Sequence, residues 1–300
     1  LSFYGCKSLK TIQIPDSVVS IENSSFEGCS SLKELTLPSS ITVINTKCLY
    51  NCSSLEKIII PISVTMIKEL SFYGCKSLKT IQIPDSVISI ENSSFEGCSS
   101  LTNITIPSSV KSIGKCSFKN CTSLMHVKIE SLIVTINDFT FFGCSSLENI
   151  IIPDSVESIN ESAFENCNLL KQIEFPPSLK SIQKNAFKNC KSLNELKILP
   201  SITLIGQNSF ASCSSLKQIM IDPYLTKIEE NTFSDCNLFN KLIITSNESI
   251  HKYNFNKFGN ITSISFISNI EILEDGIFEN MASIQEIIIP NTVKSIGKRS

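Results

Sequence analysis

Cysteine is the residue whose type and number could do chemistry in this chain. Thirteen occur among 300 residues, enough for a disulfide framework, a metal cluster or a nucleophilic thiol. Their spacing argues against all three. Eleven stand at 6, 29, 52, 75, 98, 121, 144, 167, 190, 213 and 236, each 23 after the last, and no Cys-x-x-Cys pair occurs. Stacked on that period they would share one inward slot and pack as small hydrophobes. Cα atoms of successive turns would lie about 5 Å apart, within disulfide range, but parallel Cβ vectors would hold the Cβ atoms near 5 Å as well, against about 3.8 Å in a disulfide. A reduced structural column is the expectation, with some disulfides or a metal as the weaker alternatives. Cys48 and Cys116 fall off the period and are expected to be the reactive or pairing thiols.

Other chemistry has less to stand on. The only histidines, His126 and His251, are about five cassettes apart, with no nucleophile at base spacing. There is no Gly-rich phosphate loop, and the Glu and Lys residues read as a mixed-sign solvated surface. No catalytic, cofactor-binding or metal-binding residue is assigned, and the chain is not expected to be an enzyme. A net charge of −2 gives no electrostatic case for nucleic acid or an anionic membrane. No run reaches the roughly 18 apolar residues that a membrane span needs. Eight Asn-x-Ser/Thr sequons (Asn23, Asn51, Asn92, Asn103, Asn120, Asn160, Asn247, Asn260) are mostly what an Asn- and Ser-rich chain gives by chance.

The elements that place these residues come from the period itself. Residues 70–100 repeat residues 1–31 with one change, Ile88 for Val19, at an offset of three 23-residue cassettes. Internal repeats of this length mean a solenoid or an array. Counting from each cysteine, with Phe258 and Met281 in the same slot, thirteen cassettes follow one rule. Position −3 is Phe in all but one, where Leu49 stands. Position +3 is Leu or another large apolar residue, and +6 and +8 are always apolar. The alternating +6/+8 pair predicts a short half-buried strand. Proline at +9, as in Pro84 and Pro107, closes it because it lacks an N–H. Positions +12 and +15 point inward from a second short segment. The polar stretch before each Phe, such as Glu91-Asn92-Ser93-Ser94, predicts one turn of α or 3₁₀ helix. Gly or Asn just before the origin suits a left-handed residue.

The pattern Leu101-x-x-Ile104-x-Ile106-Pro107-x-x-Val110-x-x-Ile113-Gly114-x-x-x-Phe118-x-x-Cys121 resembles the BspA-like class of 23-residue leucine-rich repeats. The Pro-x-Ser-Val segment replaces the Asn of the standard leucine-rich pattern. The fold class expected is an α/β repeat, a leucine-rich-repeat solenoid of about thirteen cassettes. A parallel β-sheet would form one face, with short strands and short helical turns on the other. Residues 1–300 would form one continuous body about 60 Å long, at 4.7–4.9 Å per strand step. Both ends fall in mid-cassette, so a fragment without its native caps is expected. The resemblance implies a surface or secreted adhesin-type protein that contacts host, matrix or cell-surface proteins. An intracellular scaffold or inhibitor in a reducing compartment is the alternative.

Positions +5 and +7 must point away from the buried pair, so stacked strands would turn them into columns on one broad, concave face. The candidate protein-binding residues are Asn103, Thr105, Met125, His126, Lys128, Asn149, Ile151, Gln172, Glu174, Glu195, Lys197, Gln218 and Met220. No cofactor is expected, the partner is a protein, and the oligomeric state is left open. One irregular stretch, Thr245–Asn254, lacks the expected Pro and Val; repeat decay is the plain reading and a contact loop with His251 and Tyr253 the sharper one.

Overall fold

A computed structural model describes residues 2–222, 227–245, 258, 261–267 and 269–299. Apart from Thr245, the irregular stretch with His251 and Tyr253 lies outside the described residues, as do the sequons at Asn247 and Asn260.

The chain winds into a solenoid with two rows of parallel strands. The first, the strand face, consists of β1 (Glu34–Thr36), β3 (Lys57–Ile59), β6 (Asn103–Ile106), β8 (His126–Ile129), β10 (Asn149–Ile150), β13 (Glu195–Lys197), β15 (Gln218–Ile221), β17 (Lys241–Ile244), β18 (Ser263–Phe266) and β20 (Glu286–Ile288). These are the +5 to +8 segments. The second row is made of two-residue strands at +14 and +15: β2 (Val43–Ile44), β4 (Met66–Ile67), β5 (Ser89–Ile90), β7 (Ser112–Ile113), β9 (Thr135–Ile136), β11 (Ser158–Ile159), β12 (Ser181–Ile182), β14 (Leu204–Ile205), β16 (Lys227–Ile228), β19 (Ile272–Leu273) and β21 (Ser295–Ile296). Pairing joins like-numbered positions, as in Asn103 to His126 to Asn149 and Ser158 to Ser181 to Leu204. The described solenoid makes about eleven turns rather than thirteen. Part of the shortfall is the first cassette, whose Thr11–Ile14 forms no strand.

Between the rows runs a continuous core. Phe72, Phe95, Phe118, Phe141, Phe164, Phe187 and Phe210 are buried, and successive rings stack with centroids from 5.0 Å (Phe72 to Phe95) to 5.6 Å (Phe118 to Phe141). The Pro-x-Ser-Val segment is a β-turn, with Val87 N–H donating to Pro84 C=O at 3.0 Å. Its serine reaches the preceding turn of the solenoid: Ser86 Oγ donates to Val64 C=O at 2.6 Å, and Ser109 Oγ to Val87 C=O at 2.7 Å.

The expected helical turn is absent among the described residues, and the reason lies in the backbone. Where both positions are described, each cassette carries two left-handed residues, at −1 as expected (Gly97, φ 73°; Asn120, φ 59°) and also at −5 (Ser93, φ 51°; Cys116, φ 57°; Phe139, φ 56°). A left-handed residue cannot propagate a right-handed helix. Instead N–H groups alternate in direction. Ala163, Glu165 and Cys167 donate three residues back to Asn160, Ser162 and Phe164, while Ser162, Phe164 and Asn166 donate to Lys184, Ala186 and Lys188 on the next turn. A helix would have spent all of these bonds within one cassette. The tandem turns spend half of them on stacking.

Candidate binding face

The thiols sort themselves by depth. From Cys29 to Cys236 the ten periodic cysteines are buried and all thirteen are free. Each of the ten Sγ atoms donates to the carbonyl 26 residues earlier, as in Cys98 to Phe72 at 3.2 Å and Cys144 to Phe118 at 3.2 Å. The same Phe118 carbonyl also accepts Cys121 N–H at 3.2 Å, which uses both of its lone pairs. Burial pushes the Cys75, Cys98, Cys121 and Cys144 thiols well up, so they stay protonated and unreactive. The expectation for Cys48 is corrected: it is buried, and burial alone drives its thiol up to about 12. Cys116 is half-buried and raised for the same reason, while Cys6, a member of the column, is exposed.

The strand face is where side chains meet solvent in ordered columns. Asn103, Thr105, His126, Lys128, Asn149, Ile151, Gln172, Glu174, Glu195 and Lys197 are exposed, and Gln218 and Met220 are half-buried. Met125 is 37% exposed and sits one position before the +5 column, at the strand entry. Register aligns Asn103, His126 and Asn149 in one column and Thr105 with Lys128 in the next. Further on, Glu195, Gln218 and Lys241 align beside Lys197, Met220 and Ile243. The two groups are brought together only through a single bridge, Ile151 to Glu174.

Polar contacts on the face are local. Gln218 Nε2 donates to Glu195 Oε2 at 3.0 Å, and Lys128 Nζ lies 2.6 Å from Glu130 Oε1. At the strand entry a hydrogen bond from Lys171, together with its charge, holds the Glu148 carboxyl below the usual carboxylate range. The apolar members stand out more. Ile151 is 83% exposed, between Lys128 and Glu174 in the +7 column. Sequence reasoning passed over Ile59, which stands in that same column, and Ile62, which is 87% exposed where most other cassettes carry Asp or Ser. Both could have been found by reading the +7 and +10 columns for apolar residues.

Depressions mark the face at two places. One of about 670 Å³ is lined by Ile59, Ile62, Thr80, Gln82 and Pro84 among others, and reaches Asn103. The other, about 460 Å³, lies over Gln172, Glu174, Glu195, Lys197, Gln218, Met220 and Ile243. Six of the seven residues named for the second were candidates from the sequence, Ile243 being the exception, and Met220 lies on its apolar side. Among the described residues no group of three or more His, Cys, Asp or Glu is placed to hold a metal, and no helix is long and apolar enough to cross a membrane.

Comparison with known proteins agrees with this architecture. The family model described as the BspA type leucine rich repeat region matches residues 1–125, 88–217 and 180–300. A crystal structure of a leucine-rich repeat protein from Bacteroides ovatus is 28% identical, with a TM-score of 0.75 over 95% of this chain and 82% of that one. A leucine rich cell surface protein from Faecalibacterium prausnitzii is 26% identical, with a TM-score of 0.51 over 93% and 78% of the two chains. No curated protein matches the chain. With matches that span its whole length and a recurring 23-residue period of inward apolar slots, this chain belongs to the BspA-type leucine-rich repeat family.

Proposed function

We propose that the chain is a non-enzymatic, protein-binding solenoid of adhesin type, secreted or held at the cell surface, whose strand face contacts host, matrix or other cell-surface proteins. The observation that carries this reading is the contrast between the two sides of each face strand. Inward positions keep one residue type from turn to turn, as Ile104, Val127 and Ile150 do, while outward positions change at each step, as Thr105, Lys128, Ile151, Glu174 and Lys197 do. Packing explains the first set; the second set is free to carry recognition. Exposed Met125, His126 and Ile151, with half-buried Met220 three turns beyond Ile151 in the +7 column, supply the apolar and amphipathic contact that interface centres favour. The cell-surface description of the Faecalibacterium relative supports the compartment.

An intracellular scaffold or inhibitor is the second reading, favoured by thirteen free thiols. Its weight is reduced by the burial of eleven of them, because thiols sealed in the core survive an oxidising compartment. Surface biotinylation of intact producing cells separates the two: labelled protein supports display, and its confinement to the lysate fraction overturns it. Pulldown with the full-length protein identifies the partner. Loss of at least tenfold in affinity on His126→Ala with Met220→Ala is expected, and unchanged binding removes this face from the reading.

A further inference from the structure

Two joints interrupt the strand face while the rest of the solenoid runs past them unbroken. Thr80–Ile83 belongs to no strand, and among the described residues no backbone hydrogen bond ties it to β3 or β6. Gln172–Phe175 keeps only the bridge to Ile151 and has no tie to β13. In the same two cassettes the short row is paired on both sides, Met66 to Ser89 to Ser112 and Ser158 to Ser181 to Leu204. The turns are continuous too: Phe72 N–H donates to Ser94 C=O at 2.8 Å, and Phe187 N–H to Ser209 C=O at 2.7 Å. The depressions described above lie at these joints.

The breaks are set by the cassettes' own sequence. Thr11–Ile14 and Thr80–Ile83 are identical, both are followed by Pro-Asp, and neither forms a strand although only the second is deep in the array. Where Ser, Ile or Asn follows the +9 proline, the face strand has three or four residues (β1, β3, β6, β20); where Asp154 follows Pro153, β10 shrinks to two; where Pro177 follows Pro176, one bridge survives.

We infer that the strand face is jointed: β1–β3, β6–β8–β10 and β13–β15–β17–β18–β20 are rigid blocks that pivot about the short row, opening or closing the face at Thr80–Ile83 and Gln172–Phe175. Between β1 and β20, bending there strips only the Ile151 to Glu174 bridge and strand-entry bonds such as Thr102 N–H to Lys79 C=O and Lys171 N–H to Glu148 C=O, both 3.1 Å, whereas bending elsewhere must strip a strand pair. The blocks carry the outward columns, so the pivots set the spacing between Asn103 and its neighbours toward β3, and between Glu174 and Lys197. The joints stand or fall independently of whether this face binds the partner.

Hydrogen exchange on the intact protein tests the idea. Amides of Thr80–Ile83 and Gln172–Phe175 are expected to exchange on the order of tenfold or more faster than the matching positions of β6 and β8. Ser89–Ile90 and Ser181–Ile182, in the same cassettes, are expected to stay as protected as their neighbours. Equal protection along the face overturns the inference; equally fast exchange in the short row also overturns it, because whole cassettes would then be opening. Asp85→Ser and Pro177→Ser, which copy the turn after β6, are expected to restore protection each at its own joint only. Small-angle scattering of the wild type should require a spread of bends that narrows in the double variant. One rigid curve fitting both would sink the pivots.

Discussion

At the residue scale, the thiol column explains why the origin slot is cysteine rather than another small side chain. Alanine would fill the slot without donating to the carbonyl stacked below, and serine would bring a harder polar atom into a core of Phe and Leu. Cys121→Ala is therefore expected to lower stability by about 1–2 kcal/mol, read as a shift in urea midpoint. Ionisation gives a sharper test. Burial raises these thiols above 9.0, their ordinary value, in the folded state. Between that value and the folded one, the unfolded chain loses protons that the folded chain keeps, so stability falls as pH rises. The stability these thiols contribute is complete below about pH 9 and is lost above it, at about 1.4 kcal/mol per thiol per pH unit. Urea midpoints should be flat from pH 6 to 8 and drop steeply by pH 10. A flat profile to pH 10 would place the thiols in water. A thiol reagent at pH 7.5 should modify Cys6 and Cys116 in the native protein and the other eleven only after unfolding.

At the scale of the element, each cassette trades backbone comfort for stacking. A left-handed conformation costs a non-Gly residue about 1–2 kcal/mol, yet Leu70 (φ 58°) and Phe139 (φ 56°) adopt it at −5. The inter-turn hydrogen bonds and the Phe stack must offset that strain. Leu70→Asn, which copies the natural Asn185, Asn208 and Asn231, is expected to stabilise by about 0.5–1 kcal/mol. A loss of stability would mean that Leu70 earns its place by packing. Phe164→Ala removes a fully buried ring flanked by two others at 5.3 and 5.1 Å and should cost about 3–5 kcal/mol; a loss under 1 kcal/mol would contradict the stack. Much of this was legible in the sequence. The period of 23 gave the register, the +6/+8 alternation gave the face strands, and Gly97 and Asn120 marked one left-handed site. The other site was obscured because Ser93, Cys116 and Phe139 carry no left-handed signature, although Asn185, Asn208 and Asn231 do at the same position. Without it a polar four-residue stretch such as Glu91–Ser94 reads as a helical turn. On the face, the outward columns followed from alternation alone, while the depressions did not, since they depend on which strands fail to pair.

At the scale of the whole molecule, interruptions in the two rows are staggered. The face breaks at Thr80 and Gln172, and the short row between β7 and β9, where Glu130-Ser131-Leu132 replaces the usual Pro-x-Ser. From β1 to β20, among the described residues, each gap in one row thus lies beside intact pairing in the other, which keeps that part of the array from parting at a single turn. At the boundary between residues 144–166 and 167–189, a second device fixes which cassette stacks on which. Lys171 pairs with Glu148 at 2.9 Å, Lys180 with Glu157 at 2.7 Å, Lys184 with Glu161 at 3.9 Å and Lys188 with Glu165 at 3.8 Å. All four acids lie on one cassette and all four lysines on the next. Exposed pairs of this kind add little stability one at a time and are screened by salt. Reversed as a set, however, they place four like-charge contacts at a boundary where the face backbone supplies only one bridge. Changing the four glutamates to lysine should therefore lower the urea midpoint clearly at low salt and less at 1 M salt, while changing the four lysines to glutamate as well should restore it. Failure of the double reversal to recover the midpoint would mean that the two cassettes recognise each other through their apolar slots alone.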